Sequence, residues 1–289
     1  MDNQTHNWQT MTGTFTIAGR LGVPFVYTVR CIRDGKLYCT RTVDVRQDGA
    51  ICFSGVASFK LEEKEQAFSH QPPAAQKRYK HILDGKRPED QPVSPNVDAD
   101  WWIQHVAEGD TTEREFPGVD VRKVDMLDHN NTEDVKRNPE KYRQLSLYSL
   151  KGSPEHPATS ESISDLKTND QSGEYDNLYA CAHMYSSDKN SVLLTPRALG
   201  NTNFIAIASL TLTVIFHQHG EALRMIDWNT APAADKEELP KKWFLQEGKS
   251  PRSGDNRAVH ESWLWSPDGT LLATTMQDSL LRFPSGEKL

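Results

Sequence analysis

Three stretches near the start of the chain, residues 25–32 (FVYTVRCI), 37–45 (LYCTRTVDV) and 51–59 (ICFSGVASF), are dense in β-branched and aromatic side chains and partly alternate in polarity. That composition suits a pleated, half-buried surface. Asp34-Gly35 and Asp48-Gly49 separate the stretches. Such pairs favour tight hairpins, because Gly tolerates positive φ and Asp bonds its own backbone. The first sixty residues therefore read as an antiparallel meander, and a chain that opens this way folds around a sheet.

The same signature returns late in the chain. Asp268-Gly269-Thr270-Leu271 repeats Asp48-Gly49-Ala50-Ile51 at an offset of 220 residues, and each Asp-Gly follows one strand-like run and opens another. An internal duplication is the simplest reading. The copies differ where the first has Ala57 and the second Gln277, a polar residue among Leu271, Leu272, Ala273 and Leu280. A buried amide must find hydrogen bonds or cost about 1 to 3 kcal/mol. Gln277 is thus either structurally satisfied or aimed at a ligand.

Between the copies, residues 62–98 turn polar and Pro-bearing, as a connector does. A short strand is expected at 118–124 and an alternating one at 145–150 (LSLYSL), followed by a long surface loop over 151–174. Residues 177–199 form the strongest helix candidate, since Leu178, Cys181, Met184 and Tyr185 recur at helical spacing. Strands are expected at 204–216, 258–265 and 270–281. The division that follows is 1–61, a partial first repeat; 62–116, a connecting segment; and 117–289, the second repeat, which carries the candidate site. The fold class is α+β.

The chain has 289 residues, 36% of them hydrophobic, and a net charge of -7. It can build a core, and its charge argues against a surface made to neutralise nucleic-acid phosphates. No run approaches the roughly 20 apolar residues that span a bilayer. Cys31, Cys39, Cys52 and Cys181 lack metal-site spacing and read as buried free thiols. His217 and His219 form a pair with no third ligand at a telling distance, so no metal is expected. Trp101-Trp102 read as packing residues. The final Glu287-Lys288-Leu289 keeps the basic and Leu positions of a peroxisomal address, but Glu replaces its small residue. An intracellular location, peroxisomal or cytoplasmic, is the expectation.

Several segments together resemble the acyl-CoA thioesterase II (TesB-like) family: Val23-Pro24-Phe25-Val26-Tyr27, Arg33-Asp34-Gly35, Ala57-Ser58-Phe59, Ser187-Asp188-Lys189-Asn190, Ala208-Ser209-Leu210 with Phe216-His217, and His260-Glu261-Ser262-Trp263-Leu264. The longest match runs from Ser266 through Gln277 to Asp278. The resemblance implies a double hotdog, two antiparallel sheets each wrapping a helix, with this chain beginning at the second strand of the first unit. It also implies hydrolysis of acyl-CoA thioesters in lipid and fatty acid metabolism, with coenzyme A entering only as part of the substrate. The family's water-holding Asp, Thr or Ser, and Gln fall on Asp188, Ser209 and Gln277. Such a set orients water and accepts its proton, while backbone donors serve the oxyanion. Where the family usually has Asp-His, this chain has Thr211-Leu212. Two alternatives stay open: another hotdog reaction on a CoA- or carrier-bound acyl or polyketide intermediate, and a weakly catalytic acyl-CoA-binding relative. A sheet face without its helix would expose Phe25, Tyr27 and Val29, so association into a homo-oligomer is expected.

Overall fold

The computed structural model describes residues 6–61, 63, 67–113, 118–154, 162–230 and 239–284. The tripeptide Glu287-Lys288-Leu289 lies outside the described residues. Ten strands form one antiparallel sheet: β1 (Asn7–Phe15), β2 (Val26–Asp34), β3 (Tyr38–Gln47), β4 (Ala50–Lys60), β5 (Val119–Lys123), β6 (Gln144–Leu150), β7 (Ala206–Phe216), β8 (Phe244–Gly254), β9 (Arg257–Trp265) and β10 (Leu271–Arg282). Their spatial order is β2-β3-β4-β1-β7-β10-β9-β8-β6-β5.

The duplication is visible in that order. Hairpins β3–β4 and β9–β10 stand in equivalent places on either side of the central β1–β7 pair, as the 220-residue offset implies. At the first turn both Asp48 and Gly49 have positive φ, the conformation that matches hairpin twist. The arrangement is a double hotdog of α+β class.

Two strands escaped the sequence reading. In β1 the core-facing residues Trp8, Met11 and Phe15 are thrown out of strict alternation by a register shift between Trp8 and Thr10. In β8, Gly248, Pro251 and Gly254 disguise a strand held from both sides by β6 and β9, and the ladder is interrupted between Lys249 and Arg252 where Pro251 sits.

The helices include α1 (Asp100–Glu108), α2 (Ile163–Ser172), α3 (Asp176–Asp188) and α4 (Leu194–Ala198). The expected loop over 151–174 thus contains α2. Its start is a Ser162-x-x-Asp165 cap in which Ser162 Oγ accepts the Asp165 N–H at 3.1 Å. The expected helix over 177–199 is divided, because Asn190 takes the left-handed conformation (φ 59°) and ends the run. Helix α3 lies over the core face of the sheet, where Tyr179, Ala180 and Ala182 join Val214, Leu264 and Leu272, with Trp8, Met11 and Phe15 packed alongside.

Residues of the connecting segment dock on the second half rather than trailing in solvent. Short helical turns at Ala75–Arg78 and Lys80–Leu83 seat Ala74, Ala75, Tyr79 and Ile82 against Leu245 and Trp265. Arg78 and the Tyr79 hydroxyl both donate to Glu247, which is only 4% exposed. The Glu247 carboxylate therefore fastens this segment to β8.

The cysteines are free, but only Cys52 is buried; Cys31 and Cys181 are exposed. Cys31 lies on β2, the uncovered edge strand, and Cys181 lies on the outer side of α3. Trp101, expected to pack, is 43% exposed. It stacks edge-on against Trp102, whose indole donates to Glu113 at 2.9 Å. Every residue of β2 is exposed, Tyr27 at 65% and Val29 at 60%. This edge of the sheet has no cover among the described residues. Among the described residues, no helix is long and apolar enough to cross a membrane.

Candidate active site

Asp188 is the last residue of α3, and the chain turns sharply after it. Asn190 adopts αL there, which Asn tolerates because its side chain bonds locally. Here that side chain reaches outward: Nδ2 donates to Ser94 Oγ at 3.1 Å and to the Pro95 carbonyl at 3.0 Å, and Oδ1 accepts the Asp98 N–H at 3.1 Å. Lys189 Nζ donates to the same Pro95 carbonyl at 2.9 Å. The connecting segment is thus latched onto the turn that carries Asp188.

A buried ion cluster anchors the latch from behind. Asp98, 2% exposed, is paired with Arg197 of α4 and with Lys123 of β5 at 3.1 Å. Burial pushes the Asp98 carboxyl up, yet the two cations outweigh it and hold it below the usual carboxylate range.

Gln277 lies near the middle of β10, flanked by Leu212 on β7 and His260 on β9. It is 2% exposed. Its Nε2 donates to Asp188 Oδ1, so a helix end and a strand 89 residues apart meet side chain to side chain. A third residue joins them: Ser191 Oγ lies 2.7 Å from Gln277 Oε1, 2.8 Å from the Asp188 carbonyl oxygen and 3.5 Å from Asp188 Oδ1. Asp188 itself is half-buried. Burial pushes its carboxyl above the usual range, while the bonds from Gln277 and Ser191 oppose the rise.

Ser209 stands elsewhere in the ladder. It pairs with Ser279, past a register shift in which Leu210 is the extra residue on β7. Counting residues alone would put Ser209 and Leu212 on opposite faces; the bulge returns Ser209 to the face of Gln277. Among the described residues, no hydrogen bond joins Ser209 to Asp188 or Gln277. The hydroxyl in contact with both is Ser191, which sequence reasoning passed over. Its only signal was a serine three residues after the Asp.

At the departure Thr211-Leu212, Leu212 is buried opposite Gln277, and Thr211 Oγ1 accepts the Asp278 N–H at 3.3 Å. On the other flank His260, 2% exposed, contacts Ser279 Oγ at 2.7 Å through Nε2 and Thr195 Oγ1 at 3.5 Å through Nδ1. Burial lowers its pKa to about 4, so the ring is neutral. His217, of the His-x-His pair, contacts Thr274 Oγ1 at 2.9 Å.

Gln277 lines a cavity of about 330 Å³ with Thr211 and Asp278, and a second cavity, of about 670 Å³, is lined by Ser94, Pro95 and Lys189 beside the turn that follows Asp188. Val119, Val121 and Val106 give it an apolar wall. Its size lies within the range of ligand pockets, roughly 300 to 1,000 Å³.

A duplicated sheet of this topology, with a helix across its core face, defines a hotdog-fold protein. Residues 3–60 match the family model of the acyl-CoA thioesterase N-terminal domain, and residues 134–281 match that of the acyl-CoA thioesterase C-terminal domain. The chain belongs to the acyl-CoA thioesterase family and is a thioester hydrolase. Among solved structures it is similar to the acyl-CoA thioesterase II TesB2 of Mycobacterium marinum, at 21% identity and a TM-score of 0.61, covering 98% of this chain and 83% of that one. A tesB protein of Mycobacterium avium subspecies paratuberculosis follows at 18% identity and TM-score 0.57, with 96% and 79% covered. A hot dog fold protein of unknown function from Alicyclobacillus acidocaldarius matches at 15% identity and TM-score 0.57, with 98% and 82% covered. At these identities the likeness is one of fold.

Proposed function

We propose that this chain hydrolyses acyl-CoA to free acid and coenzyme A, with Asp188 as the base that takes a proton from water and Gln277 orienting the pair. One observation carries the reading: the buried Gln277 amide donates directly to the half-buried Asp188 carboxylate, and Gln277 lines a cavity of about 330 Å³. Burial raises the proton affinity of Asp188, which suits a general base. Ser209, on the same face of the sheet, is the further hydroxyl able to hold the water. The acyl group would lie along the apolar wall of the larger cavity beside Lys189, and no covalent intermediate is needed. The reading includes no metal and no cofactor apart from coenzyme A in the substrate.

Release of coenzyme A from a panel of short to long acyl-CoAs tests this. Asp188→Asn and Gln277→Ala should each lower kcat about 100-fold or more, in line with loss of a positioned proton acceptor. A wild-type protein inert towards every chain length would overturn the reading. A second reading, acyl-CoA binding without turnover, is favoured by Leu212, since an apolar side chain faces Gln277 where the family usually has an imidazole. Calorimetry that detects binding in the absence of coenzyme A release would establish it.

A further inference from the structure

A glutamine amide can be seated in two ways, related by a half-turn about its last side-chain bond, and only one of them presents N–H to a carboxylate. The strands around Gln277 do not choose between them. Leu212 on one side is apolar, and His260 on the other is engaged with Ser279. The choice falls to the hydroxyl of Ser191, 2.7 Å from Gln277 Oε1.

From this geometry we propose that Ser191 is a positioning residue for the hydrolysis: by donating to Gln277 Oε1 it locks the amide with Nε2 toward Asp188. The inference rests on the reading of Asp188 and Gln277 given under Proposed function. In the opposite seating, Gln277 Oε1 would face Asp188 Oδ1, two acceptors with no proton between them unless Asp188 were protonated. An amide free to flip would spend part of its time holding the base in its inactive form. Ser191 removes that freedom.

Burial restricts the Ser191 proton to two acceptors. Ser191 is 4% exposed, so its proton must go to a protein acceptor, and Gln277 Oε1 and the Asp188 carbonyl are those within 3 Å. The turn that places Ser191 is itself fixed, because the left-handed Asn190 before it is tied to Ser94, Pro95 and Asp98. The role differs from that of Ser209, which the family resemblance assigns to the water. Ser191 acts mainly through Gln277, with a longer contact of 3.5 Å to Asp188 Oδ1, and does not itself hold the water.

The test is a double-mutant cycle of Ser191→Ala and Gln277→Ala, read in two ways. Steady-state hydrolysis gives kcat and KM, and the carboxyl carbon resonance of Asp188, followed by NMR without substrate, gives its titration. Tyr185 on α3 is electrostatically coupled to Asp188, Lys189 after it donates to Pro95, His260 on β9 flanks Gln277, and Asp278 is paired with Arg257. Among the described residues no ion pair reaches Asp188, so its titration is set by burial and by the opposing bonds from Gln277 and Ser191.

Ser191→Ala should lower kcat about 10-fold with KM nearly unchanged, the pattern of a lost transition-state arrangement. It should also move the Asp188 midpoint upward. In the Gln277→Ala background the same change should no longer lower kcat, because its target is gone, and should move the midpoint less, by the loss of its direct bond to Asp188 alone. Additive losses across the cycle, or an Asp188 midpoint that Ser191→Ala moves equally with and without Gln277, would overturn the assignment. If the wild type turns over no acyl-CoA, the hydrolase reading falls, while the titration arm still decides the role of Ser191. Ser191→Cys keeps the side-chain volume with a much weaker donor and repeats the test should the alanine variant unfold.

Discussion

Acidification from pH 7 to pH 5 should weaken the folded state through two buried imidazoles. His183 is fully buried, with Nε2 2.9 Å from the Leu223 carbonyl and Nδ1 2.8 Å from the Tyr148 hydroxyl. A ring that donates from Nε2 must accept at Nδ1, so a second proton would displace the Tyr148 hydroxyl hydrogen. Burial lowers its pKa to about 4, against a weaker opposing pull from the Leu223 carbonyl. His260 is held at about 4 by the same cause, with Asp278 opposing. In the unfolded chain both rings titrate near about 6.5. Between about pH 6.5 and 4 the unfolded state therefore binds more protons, and stability falls as pH falls. At pH 5 the unfolded imidazole gains roughly 2 kcal/mol from protonation while the folded one gains almost nothing, so two independent sites cost about 4 kcal/mol. Asp188 has the opposite sign: its raised carboxyl contributes most below its unfolded pKa, and that contribution fades as pH rises. Urea unfolding followed by tryptophan fluorescence at half-unit steps from pH 7.5 to 4.5 measures the slope. His260→Asn should remove about half of it, whatever its effect at pH 7. A stability that stays level between pH 7 and 5 would refute the argument that these rings are neutral and sealed from water.

Three further outcomes are expected. Glu247→Gln leaves Arg78 without its buried anion and should cost about 2 kcal/mol, less than a fully buried pair because Arg78 keeps some exposure to water; hydrogen exchange over residues 71–83 should rise with it. Gly13→Ala drives a Cβ into the Phe53 ring, which rests on this glycine, and should lower stability by about 1 to 3 kcal/mol in thermal unfolding. The open β2 edge, with Tyr27 and Val29 exposed, should make the protein associate with copies of itself at micromolar concentration, and Val29→Lys should reduce this; a wild type that sediments as a stable monomer would count against it.

Local chemistry made much of the sheet legible. Asp48-Gly49 and Asp268-Gly269 announce their hairpins because a tight turn needs those residue types at those positions, and the 220-residue spacing carries the duplication into the strand order. Motif resemblance likewise singled out Asp188 and Gln277, which the fold brings into contact. Strand β8 was hidden because its Gly and Pro content opposes a strand until β6 and β9 pair with it from both sides. The identity of the bonded hydroxyl was hidden for a similar reason. Ser191 and Ser209 are equally good donors on paper, and only the latch of Asn190 on residues 94–98, together with the bulge at Leu210, decides which one meets the amide. Turns and faces follow from each residue's own conformational preferences, and so can be read in order along the chain. Which side chains touch depends on bulges, latches and buried ion pairs between distant segments, and those exist only once the sheet has closed around its helix.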